Sequence, residues 1–112
     1  MLLTILLLMQ SPSLQAITAE RQKSRALAMV KWQDCTKSNS LRLAAKTREP
    51  AATIADAALG ICASHERDVR FWTGEIVKAI DDADEFARAF TAERRAELRG
   101  KAIADVIEAR AK

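Results

Sequence analysis

Residues 48–62 read Arg-Glu-Pro-Ala-Ala-Thr-Ile-Ala-Asp-Ala-Ala-Leu-Gly-Ile-Cys. Glu49-Pro50 interrupts a chain whose pattern is helical on both sides. Proline pushes the residue before it out of the helical region and suits the first turn of a new helix. One helix therefore ends near Lys46 and another begins after Pro50. The midpoint between Cys35 and Cys62, the only two cysteines, falls between Arg48 and Glu49. A hairpin folded there sets positions that sum to about 97 opposite one another, and the two cysteines meet. Their wide spacing has no resemblance to a Cys-x-x-Cys redox motif or a zinc knuckle, so a disulfide is the expected state.

Outward from that turn, both arms read as amphipathic helices. At 100° per residue, Ile54, Ala58, Ile61, Cys62, His65, Val69, Trp72, Ile76, Ala79 and Ile80 fall in one stripe about 100° wide, the apolar width of a core-facing helix. Thr53 with Asp56 three residues on predicts a capping box, and Gly74 is a candidate kink. The first arm, Thr18 to Lys46, carries Ala28, Trp32, Cys35 and Leu43 on one side, with Asn39 among them. Lys37-Ser38-Asn39-Ser40 is where it is expected to bend or break, because Ser and Asn side chains compete for backbone hydrogen bonds. If the arm is unbroken, the hairpin sets Trp32 against His65.

Asp81-Asp82 suits the start of a further helix. Phe86 and Phe90 share a face, and Thr91 reads as a fresh N-cap. After it, Ala92, Ala96, Ala102, Ile103, Val106 and Ile107 gather on one side of a final helix. Nothing alternates with period two. The fold class is all-α: a disulfide-linked helical hairpin plus one or two C-terminal helices, forming a small bundle.

The chain has 112 residues, room for one domain, and 49% are hydrophobic. Much of that fraction is alanine, so the core is thin and a covalent staple suits it. The formal net charge is +3, too small by itself to argue for nucleic acid. Its distribution is uneven. Residues 17–48 hold eight bases and two acids, and residues 49–90 hold nine acids and four bases. The first expectation is that these balance within the molecule. The second is a basic N-terminal arm that meets anionic lipid or polymer.

Leu2 to Met9 is an apolar run without charge, closed by Gln10-Ser11-Pro12-Ser13 and followed by Ala16. That is the build of a secretory signal peptide, and it is far short of the roughly 20 residues that span a bilayer. No Lys or Arg precedes the run, and Leu14 stands where a small residue is usual. Cleavage after Ala16 is preferred, with Ser13 or Ala19 as alternatives. Residues 17–112 then form a single helical domain, periplasmic or secreted, with no transmembrane segment.

Chemistry is sparse. His65 is the only histidine, and Val69 stands where a zinc-protease helix would place its second. It reads either as a base near Trp32 or as a core histidine. Phe71 and Trp72 are adjacent, so one helix cannot bury both on the same side. Phe71 is expected beneath the Phe86–Phe90 segment, or else exposed to a partner. Arg94, Arg95 and Arg99 are interspersed with acids and read as a solvated face. The acids Asp81, Asp82, Asp84 and Glu85 suit a helix start as well as they would suit a weak divalent ion. No haem, phosphate-loop or calcium-loop motif occurs, so no cofactor, metal or catalytic set is expected. The functional expectation is a non-enzymatic binding protein, with Trp32, His65 and Phe71 as candidate interaction residues and a homodimer as one partner. A small enzyme using His65 is the remaining alternative.

The signal-like start, Trp32-x-x-Cys35, Glu49-Pro50, Thr53-Ile54-Ala55-Asp56-Ala57-Ala58 and Cys62 together resemble small exported helical proteins of Gram-negative bacteria. The likeness covers about residues 30–65. It implies a disulfide-linked helical pair in the periplasm and supplies no activity.

Overall fold

The computed structural model describes residues 12–112. The apolar run Leu2–Met9 lies outside the described residues. The three candidate cleavage positions, Ser13, Ala16 and Ala19, fall in the first turns of a helix. Four helices make up the described chain: α1 (Pro12–Lys46), α2 (Ala51–Ile61), α3 (Ala63–Val77) and α4 (Ala83–Ala111). Helices α2 and α3 follow one another along a single path. The described chain is thus three rods running up, down and up, each packed against the other two, in a body of 68 × 25 × 19 Å.

The expected hairpin forms at Thr47–Pro50. Cys35 and Cys62 are bonded, with Cα atoms 5.9 Å apart. The Arg21 guanidinium donates to the Glu75 carbonyl at 3.1 Å, so the same register holds well away from the bridge. Helix α1 is unbroken through Ser38–Ser40. Asn39 does not compete with the helix there, because its amide donates to the Cys35 carbonyl one turn back at 2.9 Å. Its Oδ1 accepts from Arg42 at 2.8 Å. Ser40 is buried on the core side.

The break comes in the other arm. Cys62, at φ −94° and ψ 18°, separates α2 from α3. Its carbonyl accepts from the His65 amide at 3.1 Å and the Glu66 amide at 3.4 Å, a tightened turn that joins the two helices. Gly74 lies inside an unbroken α3, and a Cβ there would meet the Ala87 Cβ at an ordinary 4.0 Å. The capping box at Thr53 does not form. Helix α2 starts earlier, at Ala51, with Pro50 as its N-cap and no side-chain cap.

One C-terminal helix stands where one or two were expected. Thr91 is buried in the middle of α4, and its hydroxyl donates to the Ala87 carbonyl at 2.6 Å. A threonine satisfied by the preceding turn has no need to start a helix. Thr73 does the same to Val69 in α3, at 2.7 Å.

The core is centred on Trp32, with Ala28, Leu59, Cys62, Val69 and Leu98, and with Met29, Cys35, Trp72 and Phe90 packed at its margin. The second arm's stripe is rotated from the expected one. Ala55 and Leu59 are fully buried, while Ile61 and Ile80 are exposed. Helix α4 packs on the Ala55–Leu59 side of α2 and widens the buried face there. On α4 itself the buried line is Ala87, Thr91, Leu98, Ala102 and Val106. Ala92, Ala96 and Ile107, expected inward, face solvent.

Candidate functional site

The bridge and the groups around it occupy the middle of α1. Cys62 is fully buried, and the Asn39 amide reaches both sulfurs, at 3.5 Å for Cys35 and 3.7 Å for Cys62. Trp32 lies one turn away and is fully buried. It offers no surface to a partner and belongs to the core. His65 is half-buried, and its Nδ1 is a buried atom with no hydrogen-bond partner. Among the described residues, no carboxylate or hydroxyl is hydrogen-bonded to that nitrogen.

Phe71 stands apart from these. The residue is 57% exposed, and its ring meets that of Trp72 edge-to-face, with centroids 5.0 Å apart. The expected cover from the next helix does not form. Phe86 is itself exposed, while Phe90 turns toward the core margin with the Arg25 and Arg94 guanidinium groups over its ring at 4.8 and 5.1 Å. A shallow groove between α3 and α4 runs past Phe71, bordered by Arg67, Arg70, Glu75 and Asp84 and floored by Gly74 and Ala87. Phe71 is thus a large aromatic held by its neighbour at the edge of a groove with charges of both signs on its rim.

Charge is balanced in a pattern the sequence does not suggest. Most of the bases that meet the acidic middle come from α4. Arg95 pairs with Glu66 at 2.6 Å, and Arg99 pairs with Asp56 at 2.8 Å. Arg110 donates to the Glu49 and Thr47 carbonyls at 2.7 and 3.0 Å, closing the loop between α1 and α2. From the basic first third, only Arg21 among the described residues pairs with the middle, reaching Glu75 at 3.9 Å. The ties made by α4 join residues 29 to 63 positions apart. No short-range pattern announces them.

The Arg99 guanidinium hydrogen-bonded to Asp56 holds that carboxyl below its ordinary value of 3.8, against an opposing effect of desolvation. The same bond raises Arg99. A lowered folded-state pKa favours the folded protein above the ordinary value, and the contribution is lost as pH falls through the lowered one. Both groups are exposed, so the effect is small and weakened by salt. Carboxyl titration by NMR is expected to show Asp56 protonating below 3.8 and returning to its ordinary range in Arg99→Ala. An unchanged Asp56 titration in that variant would show that the pair does not persist in solution.

No family model, curated protein or solved structure matches the sequence. The fold and its surface carry the functional reading alone. Among the described residues, no group of three or more His, Cys, Asp or Glu side chains gathers as a metal-binding set. None of the described helices is long and apolar enough to cross a membrane.

Proposed function

We propose that the chain is a non-catalytic binding protein of the periplasm or the secreted medium. Its partner is a protein segment received at the α3–α4 groove. The observation that carries this reading is Phe71, a large aromatic left 57% exposed beside that groove. Aromatic anchors with a polar rim are the usual centre of a protein contact. Arg67, Arg70, Glu75 and Asp84 supply a rim of both signs. The oxidising compartment is supported by the Cys35–Cys62 bridge, which reducing cytosol does not favour, and by the signal-like Leu2–Met9 run.

The alternative of a basic arm on anionic lipid has less support, because Glu20 and Asp34 interrupt the exposed cations of α1. The test is capture from envelope extract by the disulfide-bonded protein and by its Phe71→Ser variant. The variant leaves the core intact, so its helical circular dichroism should be unchanged. A partner retained by the wild type and lost by more than about tenfold in the variant is the expected result, as for a hot-spot residue. Equal retention by both proteins, or a turnover activity abolished by His65→Ala with the fold retained, would sink the reading.

A further inference from the structure

We propose that two copies of this chain pair antiparallel along the outward face of α1, in one register fixed by charge. Glu20, Lys23, Leu27, Val30, Asp34, Lys37 and Leu41 are all exposed and lie on the side of α1 away from Ala28, Trp32 and Thr36. Leu27, Val30 and Leu41 are 56%, 50% and 37% exposed. The line from Glu20 to Leu41 advances in steps of three and four, the spacing of a two-helix seam. Among the described residues, Glu20, Lys23, Asp34 and Lys37 form no ion pair within the chain.

The order along that line selects the partner. An antiparallel second copy whose positions sum to 57 sets Glu20 against Lys37, Lys23 against Asp34 and Leu27 against Val30, each pair occurring twice. Every charge meets its opposite, and the apolar residues meet one another. Sliding by one heptad, to a sum of 64, places Leu27 against Lys37 and Val30 against Asp34. A parallel, in-register pair places each of the four charges against its own kind, which costs energy.

The favoured register puts the twofold axis beside Ala28 and Met29. Residues 20–37 of one copy, all within α1, then lie alongside residues 37–20 of the other. Helix α4 flanks this face beside Asp34, Lys37 and Leu41, whose side chains stay exposed. A second copy satisfies this surface better than an anionic membrane does, since acids alternate with its cations. The pairing is independent of the α3–α4 groove.

Sedimentation velocity of the disulfide-bonded protein across a concentration series provides the test, with Lys23→Asp, Asp34→Lys and the double exchange. These sites are exposed on a continuous helix, and circular dichroism checks that each variant folds. The expected result is a concentration-dependent wild-type dimer, weakened on the order of tenfold or more in each single variant. The double exchange restores it, because the two positions then face each other with their charges swapped and again opposite in sign. A wild type that stays monomeric throughout overturns the proposal. So does a dimer indifferent to both single reversals, or one that the double exchange fails to rescue. A monomer that binds phosphatidylglycerol vesicles in a salt-sensitive way would overturn it too, and would assign the face to lipid instead.

Discussion

Removing the Cys35–Cys62 bridge in the Cys35→Ala, Cys62→Ala double variant is expected to lower stability by about 3–4 kcal/mol, the magnitude that the chain-entropy relation gives for a loop of this length. The bridge closes a loop across a separation of 27 residues. Alanine keeps the Cβ of the fully buried Cys62, so little packing is lost beyond the sulfur. The Asn39 amide loses its sulfur acceptors and keeps the Cys35 carbonyl. Domains of this size are commonly stable by only about 5–15 kcal/mol. The loss is therefore a large fraction of the total. Urea denaturation of the wild type with and without reductant, beside the double variant, measures it. Coincident midpoints would show that the bridge adds nothing.

Trp32→Ala is expected to cost about 3–5 kcal/mol, the range for truncating a large buried aromatic. Trp32 has no exposed surface and packs with Leu59, Cys62, Val69 and Leu98, so its loss opens a cavity where all three rods meet. Trp32→Phe should cost much less. The indole Nε1 is buried without a hydrogen-bond partner, and removing an unsatisfied donor recovers its desolvation cost while most of the ring volume remains. Denaturant unfolding followed by circular dichroism separates the two variants. An alanine variant as stable as the phenylalanine one would mean that the core closes around the gap. The effects of Trp32 and the cysteines should not add, because Trp32 and Cys62 share one cluster.

The hairpin is legible in the sequence because its determinants are local or arithmetical. Pro50 constrains its neighbours whatever the rest of the chain does, and two cysteines can pair in only one way. The register at Arg21–Glu75 then follows from the turn. What the sequence does not disclose is where α4 lies. Ala55 and Leu59 are buried and Ile61 exposed because α4 covers one flank of α2. Periodicity gives a direction for the stripe but not the side on which a third rod widens it.

Alanine adds to the difficulty. With so many at every angle, α4 offers several apolar lines, and the buried one contains Thr91 in place of a larger apolar residue. The break at Cys62 has no proline to mark it. That Phe71 cannot share a side with Trp72 follows from their adjacency alone, whereas the lack of cover from Phe86 and Phe90 is a matter of packing that adjacency does not reach. Arg95, Arg99 and Arg110 are legible as charges and illegible as ties, since their partners lie 29 to 63 residues away.

The bridge that joins α1 to the α2–α3 joint also divides the molecule mechanically. A pull applied at the two ends passes through the sulfur–sulfur bond and bypasses the chain between positions 35 and 62. The turn at Pro50 and the whole of α2 then carry no load. At roughly 3.3–3.6 Å per residue, those 27 residues withhold about 90 Å of extension until a thiol releases them. That makes α2 a sheltered segment and leaves α1 up to Cys35, α3 and α4 to bear tension.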